Sequence, residues 1–299
     1  MQPVRSLLYV PANRPEWVDS APESEADGYI FDLEDAVPVG EKERARDVLA
    51  DALESLGPDD GVLTARINPP DTGLFEADLE AIVHPRLDAV VVPKLPSPEP
   101  IRRTAHVLEF LESVRGIEDS VEIVALPETA QGFRRAYDLA AASDRVAGLV
   151  GATSRGADVE RALGYTWTPD GDEKRHMLSK VVLDGRAAGL DQLVSGPWHD
   201  VEDLDGLRAE AEMAERLGYT GYQLTHPSHA ATVNEIFLPD EDEIAWCRDL
   251  LESMDEAQTE AGRGAVRHEG EMVDIAHIRR AEDVLQRARA FGIASSARQ

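Results

Sequence analysis

Two carboxylates, Glu128 and Asp158, and one arginine, Arg66, stand where short apolar runs end, and these residue types suit a hard cation and an anionic substrate. Magnesium takes oxygen ligands and often just two carboxylates, leaving its other positions to water and substrate oxygens. Manganese can substitute for it, whereas a single cysteine and scattered histidines serve zinc poorly. On residue type alone, two solvated carboxylates are an equal reading. Arg66 closes the run Thr64-Ala65-Arg66-Ile67-Asn68, where a guanidinium is either salt-bridged structure or an anion binder, because burying it unpaired costs too much. Glu34 and Asp35 either orient Arg66, hold water, or cap the next helix. His226, before Pro227, is as suited to fixing its loop as to touching substrate.

The elements that must position these groups are legible from periodicity. Apolar, β-branched runs recur at Ser6 to Pro11, Tyr29 to Leu33, Val62 to Ile67, Ala89 to Val92, Glu122 to Leu126, Val146 to Val150, Leu190 to Val194 and Thr220 to Leu224. Amphipathic stretches such as Glu41 to Leu56, Pro100 to Arg115, Gly132 to Ala142, Glu173 to Ala188 and Leu204 to Leu217 separate them. Strand and helix in alternation argue for a parallel sheet, and eight such units favour a closed (β/α)8 barrel over an open doubly wound sheet. No Gly-x-Gly-x-x-Gly follows the first strand, which weakly disfavours the open alternative. Polar residues then follow nearly every strand: Glu34 and Asp35, Arg66 and Asn68, Lys94, Glu128, Asp158, Trp198 and His226. In a barrel these ends converge on one face, where such folds place their chemistry.

Beyond the eighth run, a helix is expected over Asp240 to Gln258, then a glycine-rich stretch with Gly262, Gly264 and Gly270, then a helix from Ile275 to Ala290. The glycines read as the hinge of a lid, because the flanking pieces are too short for a core of their own. The expected division is a barrel over 1–238 and a helical extension over 239–299.

The formal net charge is −28, spread along every segment, which argues against nucleic acid or anionic membranes as partners. Lysine occurs only at Lys42, Lys94, Lys174 and Lys180, a pattern that suggests a salt-rich cytoplasm and a halophilic source. Cys247 is the sole cysteine, so no intrachain disulfide forms. Neither a signal peptide nor an apolar run of ~18 residues is evident, and a cytoplasmic location is the expectation. A polyanionic phosphate ligand would still need cations; Arg14, Lys42 and Arg46 lie near the first two strand ends. For Lys42, an i, i+4 partner of acidic neighbours on an exposed helix is the stronger reading of the residues alone.

Several segments together carry a resemblance: Arg5-Ser6-Leu7-Leu8-Tyr9-Val10-Pro11 with Arg14-Pro15, Asp32-Leu33-Glu34-Asp35-Ala36-Val37 with Lys42 and Arg46, Arg66-Ile67-Asn68, Pro93-Lys94, and Glu128-Thr129-Ala130 with Gly132. His226-Pro227-Ser228, Asn234-Glu235 and Met272-Val273-Asp274 follow in the C-terminal half. In this order they resemble the HpcH/HpaI aldolase and citrate lyase beta subunit-like family of metal-dependent aldolases. Ser195-Gly196-Pro197-Trp198 and Val273-Asp274-Ile275-Ala276 look most like its malyl-coenzyme A lyases. The resemblance implies a (β/α)8 barrel assembled as a homotrimer or homohexamer, with magnesium between Glu128 and Asp158 and Arg66 on the oxo or hydroxy oxygen of the substrate. It places Asp274 on a C-terminal lid reaching a neighbouring subunit's site, although Asp274 is equally placed to cap the last helix. Two features depart from the pattern. Gly151-Ala152-Thr153-Ser154-Arg155-Gly156-Ala157-Asp158 is longer than the family's Gly-Ala-x-Asp, and Pro127 replaces an aliphatic residue.

The implied activity is cleavage or formation of a carbon–carbon bond in a malyl-type coenzyme A thioester, giving acetyl- or propionyl-coenzyme A and a small 2-oxo acid, glyoxylate or pyruvate. Glu34, Asp35, Arg66 and Asp274 would serve catalysis, with Pro197, Trp198 and His226 against the substrate. The alternatives are a malyl-coenzyme A thioesterase, a carrier-protein-dependent citrate lyase beta subunit, or a non-catalytic coenzyme A binding protein.

Overall fold

The computed structural model describes residues 1–261, 265–268 and 271–293. Eight parallel strands close into a barrel in sequence order: β1 Ser6–Pro11, β2 Gly28–Asp32, β3 Val62–Arg66, β4 Ala89–Val92, β5 Glu122–Ala125, β6 Val146–Ala152, β7 Gln192–Trp198 and β8 Gly221–Leu224. The last strand returns to the first, with Ser6 opposite Tyr222 and Leu8 opposite Leu224. Alternation along each strand sends every second side chain inward, so Leu7, Ile30, Val62, Val91, Val124, Val150 and Val194 fill the interior. Burying each such side chain is worth about 1.5–3 kcal/mol. Two glycines allow close approach between strands: a Cβ on Gly28 of β2 would lie 2.7 Å from Val62 O of β3, and one on Gly221 of β8 would lie 2.6 Å from Val4 O, just before β1.

The strands agree with the apolar runs to within two residues at either end except at β7. The run stops at Val194, whereas the strand continues through Ser195, Gly196 and Pro197 to Trp198, with a cis Gly196–Pro197 bond. Glycine and proline end a strand in a periodicity argument, yet Ala152 still pairs with Gly196, and the register shifts between Ser195 and Trp198. The single helix expected over Gly132 to Ala142 is two short ones, Ala130–Arg134 and Ala136–Ala140.

The chain divides into two compact units, residues 1–236 and 237–299. In the second, helices Glu241–Ala261 and Ile275–Ala290 flank an antiparallel pair of strands, Ala265–His268 and Glu271–Asp274. Its core gathers Ile244, Cys247, Leu250, Met254, Val273, Ala281 and Leu285, which corrects the expectation that the pieces flanking the glycines are too short for a core of their own. Strands therefore occupy part of the glycine-rich stretch read as the hinge of a lid, because Ala265-Val266-Arg267-His268 pairs with Glu271 to Asp274. Gly262, Gly264 and Gly270 lie outside the described residues. Among the described residues no helix is long and apolar enough to cross a membrane.

Candidate active site at the C-terminal mouth of the barrel

The site begins with a register match. Asp32 ends β2 and Arg66 ends β3, and the two are direct neighbours in the sheet. Each lies two residues beyond an inward residue, Ile30 and Thr64, so both side chains turn into the barrel mouth. Arg66 donates through Nε to Asp32 Oδ1 at 2.8 Å and through Nη2 to Oδ2 at 2.6 Å. Asp32 also accepts from the backbone N–H groups of Glu34 and Ala36, both at 2.9 Å. Burial would raise the Asp32 pKa, but Arg66 and these N–H groups outweigh it and hold the carboxyl below its ordinary range. The guanidinium lies 4.8 Å from the centre of the Tyr9 ring, which supports its flat face.

Glu34 and Asp35 follow in the loop after β2. Glu34 Oε1 lies 2.5 Å from Lys94 Nζ, and its buried Oε2 lies 3.3 Å from Arg66 Nη1. Asp35 is exposed and lies 2.7 Å from the same ammonium. Lys94 follows β4 and Glu128 follows β5, and both have left-handed backbones, with φ of 55° and 49°. For residues other than glycine that conformation costs about 1–3 kcal/mol each and concentrates where surrounding structure forces it. Here the Lys94 N–H points to Glu128 Oε2 at 3.3 Å. Asp158 opens the helix Asp158–Leu163, pairs with Arg161 at 2.9 Å and lies 3.5 Å from Lys94 Nζ.

These groups face a cavity of about 1020 Å³. Asp35, Arg66, Glu128, Asp158, Pro197 and His226 line it, as do Tyr9, Asp32, Trp17, Arg155, His199 and Gln223. Glu34 stands behind the lining, in contact with Arg66 and Lys94. Trp198 does not line the cavity; its ring packs 5.7 Å from that of Trp167. His226 accepts from the Ser228 N–H at 3.2 Å, so part of its role is to fix its own loop.

The three candidate phosphate-binding cations have different environments. Lys42 is buried, with Nζ donating to Leu33 O at 2.6 Å and Glu34 O at 2.5 Å. That corrects its reading as a residue on an exposed helix face: the turn after β2 presents two carbonyls that take the ammonium as a second donor beside Asn68 Nδ2 and the Val37 N–H. Arg46 pairs with Asp78 at 3.0 Å. Arg14 is exposed, and its side chain makes no hydrogen bond or ion pair among the described residues, its backbone bonding to Pro11, Trp17 and Val18. Asp274 belongs to the second unit, where its Oδ1 lies 2.9 Å from His277 Nδ1.

Sequence reasoning missed Asp32, Tyr9 and the reach of Lys94. The signal for Asp32 was present, since it continues the inward alternation from Ile30 and stands in register with Arg66. For His199 and Arg155 no spacing rule applied.

A divalent cation fits this donor set. Glu128 has its pKa pushed up to about 7, first by loss of water and then by Glu34 and Asp158, against the pull of Arg66 and Lys94. A hard cation between Glu128 and Asp158 would relieve that repulsion. Among the described residues no group of three or more His, Cys, Asp or Glu side chains is placed to hold a metal. Two carboxylates alone would suit magnesium, which keeps water and substrate oxygens as its remaining ligands.

The chain is 34% identical over 289 residues to a (3S)-malyl-CoA thioesterase of Cereibacter sphaeroides, covering 97% of this chain and 96% of that protein. It is 29% identical over 290 residues to the mitochondrial citramalyl-CoA lyase of Rattus norvegicus, covering 95% and 85%. Among solved structures it resembles the protein CitE from Mycobacterium tuberculosis in complex with magnesium, acetoacetate and coenzyme A. The TM-score is 0.74 at 31% identity, covering 96% of this chain and 98% of that one. With residues 5–227 matching the family and both relatives spanning nearly the whole chain, this protein belongs to the HpcH/HpaI aldolase/citrate lyase family.

Proposed function

We propose that the chain is a magnesium-dependent lyase that cleaves a carbon–carbon bond in a malyl-type coenzyme A thioester. The observation that carries this reading is the convergence of Arg66, Glu128 and Asp158 on one cavity at the strand ends. Magnesium held by Glu128 and Asp158 would supply Lewis acidity at the carboxylate and hydroxyl oxygens of the substrate. Arg66, locked by Asp32, directs its guanidinium at the oxygen where charge changes. Asp35, the exposed carboxylate of the lining, takes the hydroxyl proton. The hydroxyl-bearing carbon becomes the carbonyl of a 2-oxo acid, the electron pair of the broken bond passes to the thioester enolate, and Asp274 from a neighbouring subunit protonates its carbon. Arg14, the one exposed and free cation of the three considered, is the candidate for a coenzyme A phosphate.

The relative named (3S)-malyl-CoA thioesterase favours a second reading, in which the same groups direct water at the thioester carbonyl. Incubation with magnesium and a panel of malyl-, methylmalyl- and citramalyl-thioesters separates the two. Cleavage yields a 2-oxo acid and a shorter acyl-coenzyme A; hydrolysis yields the hydroxy acid and free coenzyme A. Production of hydroxy acid and free coenzyme A without any 2-oxo acid would overturn the lyase reading.

A further inference from the structure

One residue touches four carboxylates from three other strand ends. Lys94 Nζ lies 2.5 Å from Glu34 Oε1, 2.7 Å from Asp35 Oδ2 and 3.5 Å from Asp158 Oδ2. Its backbone N–H points at Glu128 Oε2, 3.3 Å away. Both Lys94 and Glu128 hold left-handed backbones, so the contact is maintained at a conformational cost. Each carboxylate that a hard cation took beyond two would displace a water or substrate oxygen.

We propose that Lys94 is the positioning residue that selects the carboxylates a divalent cation meets: its ammonium engages Glu34 and Asp35 and leaves Glu128 and Asp158 for the ion. This rests on the magnesium reading above. The distances support a division of labour, since the two short contacts are to Glu34 and Asp35 and the long one is to Asp158. Glu34 is also held near Arg66, buried between two cations, whereas Glu128 has no side-chain cation within ion-pair distance among the described residues and Asp158, besides the long contact to Lys94, pairs only with the exposed Arg161 at 2.9 Å. Without the ammonium, Glu34 and Asp35 would be free to join the ion. Binding would tighten, because a unit of positive charge nearby is gone, by an amount on the order of tenfold. The extra carboxylate would occupy a position that the substrate needs.

Manganese alone is the probe. Its affinity is read by the electron paramagnetic resonance of free Mn2+, and the number of coordinated waters by proton relaxation, for wild type, Lys94→Met, Lys94→Arg and the double variant Lys94→Met/Glu34→Gln. Lys94→Met is expected to bind Mn2+ about tenfold tighter with fewer coordinated waters. Lys94→Arg is expected to stay near wild type, and the double variant to return toward it. Lys94→Gln replaces Lys94→Met if circular dichroism shows that methionine disturbs the fold. Unchanged or weakened binding in the folded neutral variant overturns the selection role while leaving the metal reading intact. A wild type that takes up no Mn2+ overturns both.

Discussion

Arg66 holds Asp32 with both arms of its guanidinium, at 2.8 and 2.6 Å, across the adjacent ends of β3 and β2. A lysine ammonium is a single point and cannot span both oxygens while facing the cavity. Arg66→Lys keeps the charge, so the fold should persist, but kcat should fall by about 10². Steady-state kinetics beside a thermal melt checks this; wild-type turnover would show that the fork is dispensable.

Lys42 is the test of structure against cofactor binding. Lys42→Met removes one of two donors from each of the Leu33 and Glu34 carbonyls, which keep Asn68 Nδ2 and the Val37 N–H, and should destabilise the protein by about 1.5–3 kcal/mol for each charge-assisted hydrogen bond lost. Urea unfolding should show the loss, and KM for the thioester should change little. A tenfold rise in KM at unchanged stability would return Lys42 to the phosphate.

Asp274 and Arg66 test whether sites are shared between subunits. If Asp274 acts in a neighbour's cavity, Asp274→Ala and Arg66→Ala proteins, each inactive, should recover part of the activity when mixed and reassembled. Sedimentation of the mixture establishes that hybrids formed. Hybrids without activity would confine Asp274 to its own chain or to its local pairing with His277.

His229 bears on acid stability. It is fully buried, and burial first of all lowers its pKa, outweighing the opposing pull of the Val201 carbonyl. A folded-state pKa below the unfolded value of ~6.5 gives stability that is complete above that pH and is lost as pH falls through the folded value. Carboxylates titrating over the lower part of the range also relieve repulsion in this acidic chain, so the informative quantity is a difference. The urea midpoint of His229→Gln should gain on wild type between pH 7 and pH 5, and a constant difference would contradict the assignment.

Much of the fold was legible because each strand is a short β-branched run bounded by polar residues, and eight of them alternate with amphipathic helices. The end of β7 was not, because Gly196 and Pro197 carry the local signal of a break while the pairing of Ala152 with Gly196 carries the strand onward. Arg66, Glu128 and Asp158 were legible as strand-end residues that meet in one cavity. Lys42 was misread because helical periodicity reports the face of a residue and says nothing of a loop folding back over it. Lys94 was visible as a strand-end cation, but its reach to Glu34, Asp35 and Asp158 depends on loops brought together by closure of the sheet.

Closure also sets an order of events. Ser6 pairs with Tyr222 and Leu8 with Leu224, so β1 cannot be sealed until the ribosome has released residues more than two hundred positions later. Throughout that interval the nascent sheet presents two open edges, and β1 itself remains available to any other unfinished chain. Contacts this distant in sequence form slowly. The finished ring has no edge left to offer, so the hazard of mispairing belongs to synthesis and ends with it.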